Sequence, residues 1–250
     1  MSFYRFSLPA PLGGEGGVRG YLMSVATHRI VTDFKRLSAD LIAKVAKLHI
    51  GVSGFEVGPR QTMHPSIKPL DPSWRICGPA LTVRPEFWYD RLMGELAPKY
   101  AKPGDVIVVD AGGYTDVAVW GMSMTVAAKS AGVAGVVIDG ATMNAALLAR
   151  ERVQMPIFAR AVSATATTSD SPGSINVPII CGGVIVNPGD IILGDSDGVV
   201  VLKPEAAEAI IRNVEAHDKG EQDPEMRKKP YWERRGVVEK LKAMKDVTWE

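Results

Sequence analysis

PGDVIVVDAGGYTDVAVWGMSMTVAAKSAGVAGVVIDG, residues 103–140, decides the fold. Pro103-Gly104-Asp105 is a turn, and it feeds Val106-Ile-Val-Val109. An unbroken apolar run of that length fits a strand covered on both faces; a strand with one wet face would alternate. Val117–Ala131 then carries a helical pattern that Gly132 ends. Gly135-Val-Val-Ile-Asp139 is a second unbroken strand, Met143–Glu151 a second helix and Pro156-Ile-Phe158 a third, short strand. Strand, helix, strand, helix, strand at this spacing predicts a right-handed βαβ core with parallel strands.

Upstream, Ser38 is placed to cap a helix whose apolar stripe is Leu41, Ile42, Val45, Ala46 and Leu48. Gly51–Trp74 holds Pro59, Pro65, Pro69 and Pro72 and reads as irregular, because each proline lacks a backbone donor. Ala80–Val83 reads as a short strand and Asp90–Ala97 as a helix stopped by Pro98. Downstream, Thr165–Ser174 reads as a loop. Four short apolar runs follow, Val177–Ile180, Gly183–Val186, Asp190–Leu193 and Gly198–Leu202, separated by turn residues. They predict a β-meander that closes over the core. Pro204–Val214 reads as a helix, with Pro204 in its first turn. Three regions result: a Pro/Gly-rich arm over 1–22, one domain over 23–215, and a charged, helical tail over 216–250.

Composition narrows the function classes. A formal net charge of +1 gives no field that points to nucleic acid. No apolar run approaches the ~20 residues of a membrane helix. The two cysteines, Cys77 and Cys181, are read as buried reduced thiols in a cytoplasmic protein. None of the four histidines, His64 included, has a partner at zinc or triad spacing. Asp195 and Asp197 are hairpin-turn acids, and no Gly-rich phosphate cradle follows a strand.

Three ordered segments carry a resemblance. The first is Cys77-Gly-Pro-Ala-Leu-Thr-Val-Arg84 with Pro103–Asp110; the second is Trp120-Gly121 with Ala131–Gly140; the third is Asn176–Asp190 with Gly194–Val201. Together they resemble the RraA-like / 4-hydroxy-4-methyl-2-oxoglutarate aldolase family, whose members have also carried the name demethylmenaquinone methyltransferase. The resemblance covers residues 35 to 215. It implies an α/β fold layered αββα, of the swivelling phosphohistidine-domain kind, assembled as a homotrimer or homohexamer with sites between subunits. In the family's aldolases, the resemblance implies, an arginine holds the pyruvyl carboxylate and the following aspartate binds a divalent metal. An upstream acidic residue orders the metal's water. The metal stabilises the enolate left by carbon–carbon cleavage.

Those chemical groups are absent here. After Gly121 the acidic position is Met122; the arginine position is Met143 and the metal-binding aspartate position is Asn144. An amide oxygen is a weak ligand for a hard divalent cation, and a thioether cannot pair with a carboxylate. No cofactor is therefore expected, and Mg²⁺ only if other ligands rescue the site. Substrate contacts are assigned to Gly121, Met122, Ser123, Met124, Met143 and Asn144, where backbone amides at a helix N-terminus persist. Candidate catalytic residues are Asn144, Arg91 (an added cation, with Glu95 one turn on), Tyr114, Asp116 and Arg160. For Asp116 the stronger reading is the N-cap of the following helix, and for Arg160 an ion pair is an equal alternative. Two functions remain open: a metal-independent lyase or enolate-type enzyme with a small-molecule substrate, or a non-catalytic oligomeric regulator. The second follows RraA itself, which binds an RNA-degrading enzyme.

Overall fold

The computed structural model describes residues 28–146 and 154–248. The arm over 1–22 and most of the helix expected over Met143–Glu151 lie outside the described residues. Helices α1 (Ala39–Val45) and α2 (Ile50–Val57) come first, then β1 (Lys68–Pro69) and β2 (Ile76–Pro85). Next are α3 (Leu92–Leu96), β3 (Val106–Val109), β4 (Ala118–Trp120), α4 (Met122–Ser130), β5 (Gly135–Thr142) and β6 (Ile157–Val162). The chain continues through β7 (Gly173–Ile175), β8 (Ile179–Cys181), β9 (Val184–Val186), β10 (Ile191–Asp195) and β11 (Gly198–Leu202) to α5 (Ala207–Gln222).

The large sheet runs β1-β6-β5-β3-β2-β10-β11, with β4 beside β5 and β7 beside β2. Strands β2, β3, β5 and β6 are mutually parallel, as the βαβ reading requires. Every residue of β3 and β5 is buried. Their alternate side chains serve two layers. Ile107, Val109, Val136 and Ile138 pack with α3 and α4, through Met93, Met124 and Ala128. Val106, Val108 and Val137 pack on the opposite face, against Cys181 and Val184 of the β8–β9 hairpin. This double covering is why the runs contain no polar alternation. A third cluster joins Val45 of α1, Ile50 of α2 and Ile210, Ile211 and Val214 of α5 to β10 and β11.

Several elements differ from their expected bounds. The region expected to be irregular holds most of α2, ahead of its first proline, and the short strand β1, which pairs antiparallel with β6. Residues 118–120 are not the first turn of a helix. They are extended because they pair with the last residues of β5, Ala118 beside Ala141 and Trp120 beside Thr142. Asp116 therefore caps nothing at Val117. Its carbonyl accepts from the Ser163 hydroxyl at 2.8 Å, and the helix starts at Met122. Residues 173–175 leave the expected loop to pair with β2. The four closing strands pair consecutively, β8 with β9 and β10 with β11, and β10 carries the second pair onto β2. The helix after Pro204 runs on to Gln222.

Both cysteines are free. Burial pushes the Cys77 thiol up to about 12 and raises Cys181 well above its ordinary value, which disfavours a thiolate at either. Among the described residues no helix is long and apolar enough to cross a membrane.

Candidate functional site

The β4–β5 pairing places the site. The Met143 amide donates to the Trp120 carbonyl at 3.0 Å, and the Thr142 hydroxyl donates to the same oxygen at 3.2 Å. These bonds lay residues 143–144 beside the turn from β4 into α4. Gly121 makes room there: a Cβ on it would stand 3.1 Å from Met143 Cγ and 3.4 Å from Asn144 Oδ1, so the Met143 side chain would have to give. Buried Trp120 fixes the start of α4, since its Nε1 donates to Thr125 Oγ1 at 2.8 Å. Thr125 Oγ1 in turn donates to the Gly121 carbonyl at 2.9 Å. Gly121 caps α4 without a side-chain bond. The first amides of a helix have no intrahelical acceptor, so those of Met122, Ser123 and Met124 add partial positive charge to this end.

A cavity of about 220 Å³ opens on this helix end, lined by Arg91, Glu95, Ala118, Trp120, Gly121, Met122, Ser123, Met124, Met143 and Asn144. It brings together all six residues assigned to substrate contact and adds Arg91. Asn144 has φ 62°, a left-handed conformation that asparagine tolerates better than most residues. On the opposite wall, Arg91 Nε donates to Glu95 Oε1 at 2.8 Å, and Arg91 Nη1 to the Thr167 carbonyl at 2.8 Å. The other Glu95 oxygen accepts from the Ser169 hydroxyl. Neighbouring Asp90 is buried and accepts from the Leu92, Asp170 and Ser171 amides and from the Thr168 hydroxyl. Burial opposes its charged form, but those four bonds outweigh it and hold its carboxyl below the ordinary range. Loop 165–171 is thereby fastened to α3 at the cavity's edge.

The other candidates lie elsewhere. Tyr114 is half-exposed and does not line the cavity. Arg160 follows Ala159 on β6, whose register places it in one row with Asp139, Asp110 and Arg84 on neighbouring strands. Its Nε pairs with Asp139, and its Nη1 donates to the Ser66 hydroxyl at 3.1 Å. Asp139 also accepts from the Gly182 amide at 2.7 Å, which ties this row to the β8–β9 hairpin. Burial, with Asp139 beside it, raises the Asp110 carboxyl. His64 Nδ1 contacts the Ser66 hydroxyl at 2.8 Å within its own loop. Asp195 accepts from the Asp197 amide at 2.9 Å in a hairpin turn. The fastening of Thr167 and Ser169 to α3 has no local signal in the sequence, because it joins segments more than seventy residues apart.

The cavity's donor set does not fit a hard divalent cation. Among the described lining residues the one carboxylate, Glu95, has both oxygens engaged by Arg91 and Ser169, and the uncharged side chains offer thioethers, a hydroxyl and an amide. Among the described residues, no group of three His, Cys, Asp or Glu side chains converges to hold a metal ion.

Known proteins bear on this geometry. The family pattern described as RraA-like, Aldolase/RraA, matches residues 39–201. A Halalkalibacterium halodurans protein named "Putative 4-hydroxy-4-methyl-2-oxoglutarate aldolase" is 41% identical over 147 residues, 59% of this chain and 69% of that one. An uncharacterized Methanocaldococcus jannaschii protein is 44% identical over 106 residues, 42% of this chain and half of that one. The crystal structure of Streptomyces coelicolor RraAS2, described as an unusual member of the RNase ES inhibitor RraA protein family, superposes with TM-score 0.66 at 26% identity. It covers 76% of this chain and 98% of that one. Matched across most of its described core, with the same α/β architecture, this chain belongs to the RraA-like family.

Proposed function

We propose that the cavity at the start of α4 binds a small organic substrate, and that the protein is a divergent carbon–carbon lyase or enolate-type enzyme that dispenses with the Arg-Asp metal site. The observation that carries this reading is the cavity itself. Its framework of Gly121, the β4–β5 pairing and the α4 amides is built, and it is lined by thioethers and an amide at the positions to which the resemblance assigns the aldolases' charged groups. In such a site the amides of Met122–Met124 would donate to a substrate oxygen and stabilise the negative charge that develops on it as a carbon–carbon bond breaks. Asn144 would orient the substrate from the facing segment. As in the family, the working unit would be a homo-oligomer.

The test is turnover of oxaloacetate and of pyruvyl aldols with and without Mg²⁺ or Mn²⁺. Added metal is expected to leave any turnover unchanged within twofold. Stimulation by metal of tenfold or more would overturn the reading.

A second reading, a non-catalytic binding protein of the RraA type, is favoured by one observation. Phe87, Trp88 and Tyr89 stand exposed in the loop from β2 to α3, with the Phe87 and Tyr89 rings stacked. Detectable lyase turnover that is lost on Gly121→Val, which fills the cavity, would decide against it.

A further inference from the structure

We infer that Arg91 selects the ligand of the α4 cavity, and that this ligand is a small aliphatic monocarboxylate held without a divalent cation. The inference rests on the reading of that cavity as a binding site and adds its chemistry. Among the described lining residues, Arg91 and Glu95 are the only charged side chains, and they lie one helical turn apart. Their charges cancel, but the groups they present do not. Both Glu95 oxygens are engaged, one by Arg91 Nε and one by the Ser169 hydroxyl. Arg91 uses Nε and Nη1 for Glu95 and Thr167, and neither bond takes up Nη2.

The cavity therefore offers hydrogen-bond donors: one guanidinium nitrogen and the α4 amides. A ligand that satisfies them is an acceptor, and an arginine fork favours a carboxylate. With both Glu95 oxygens engaged, the one charged donor left over, Arg91 Nη2, supports a single ligand carboxylate. A second carboxylate would meet Met122, Met124 and Met143, which cannot donate to it. Those thioethers suit an apolar, variable remainder. At about 220 Å³ the cavity is smaller than pockets for drug-sized molecules, which run ~300–1,000 Å³, so the remainder is a few carbons. The bond from Arg91 to the Thr167 carbonyl holds the guanidinium over the cavity and gives the cation a fixed place.

The experiment titrates butyrate into the full-length protein in EDTA, with the methionine methyls labelled for NMR. Butyramide, uncharged and of the same shape, and succinate serve as comparisons. Butyrate is expected to move the Met122 and Met143 methyls, with butyramide and succinate at least tenfold weaker. Arg91→Gln should weaken butyrate at least tenfold and leave butyramide unchanged, while Arg91→Lys retains part of the affinity. Glu95→Gln should tighten butyrate several-fold by removing the competing carboxylate, a gain that misfolding cannot produce. If butyrate moves the methyls equally in wild type and Arg91→Gln, or if Glu95→Gln brings no gain, the assignment to Arg91 falls while the cavity stands as a binding site. Binding that appears only when Mg²⁺ replaces EDTA overturns the metal-free reading itself. Failure of butyrate to move either methyl in EDTA or in Mg²⁺ overturns the monocarboxylate proposal.

Discussion

Asp110 and Asp139 face each other across neighbouring parallel strands, and the two carboxylates have opposite surroundings. Asp139 is held by Arg160 and the Gly182 amide. Burial and the Asp139 charge raise Asp110, and the Gly112 and Ile180 amides and Arg84 only partly offset them. An acid raised in the folded state binds more protons there than in the unfolded chain, so stability falls as pH rises from the unfolded value near ~3.9 through the raised one. Asp110→Asn is expected to flatten that decline and to raise the melting temperature at pH 7, as thermal melts across pH 4–8 would show. An unchanged profile would place the carboxyl in water. Which residues line the cavity was legible in the sequence, because Gly121 and Gly140 pin the register of Met122, Met143 and Asn144. For Arg160 an ion pair was one of two readings, but its partners Asp139 and Ser66 were not legible, since they come from another strand and a loop.

At the scale of elements, two Pro-Gly-Asp turns lead into strands by one device. Asp105 accepts from the Lys102 amide, and Asp190 from the Asn187 amide, each three residues back. Each buried carboxylate then meets a distant cation. Arg36 donates to Asp105 through Nε and Nη2, both at 2.7 Å, and Lys203 pairs with Asp190. The turn also fits tightly against β2, where a Cβ on Gly78 would lie 2.1 Å from the Gly104 carbonyl. Removing Asp105 would leave the mostly buried Arg36 guanidinium with only the exposed carboxylate of Asp33 as an ionic partner. Asp105→Ala is therefore expected to cost about 3–5 kcal/mol in denaturant unfolding. A loss below about 1 kcal/mol would show the pair to be solvated. The sequence marked these turns as turns. It did not reveal their cations, because Arg36 lies in a segment without either hydrophobic period. Nor did it separate β4 from α4: Ala118-Val-Trp120 is apolar enough for either, and pairing with β5 makes it a strand.

For the whole molecule, the layers follow from strands buried on both faces, and those unbroken apolar runs made the fold readable. The closing strands were readable as strands, but which of them join β2 depends on long-range pairing that local pattern does not encode. Beyond α5, the helices over Pro224–Lys228, Tyr231–Arg234 and Val237–Lys242 have no buried residue. Deleting residues 223–250 is expected to shift the melting temperature by no more than about 4 °C, the effect of roughly 1 kcal/mol in a domain of this size. A larger drop in calorimetry would make the tail part of the folded unit.

The central claim is that an RraA-like framework here encloses a binding cavity whose side chains no longer hold a metal. Calorimetric titration of Mn²⁺ into the wild-type protein, and into a Met122→Glu, Met143→Arg, Asn144→Asp triple variant, tests it most directly. The account predicts no saturable binding at the wild-type cavity and a new site in the variant. Stoichiometric Mn²⁺ binding by the wild type that is abolished by Asn144→Ala would contradict it.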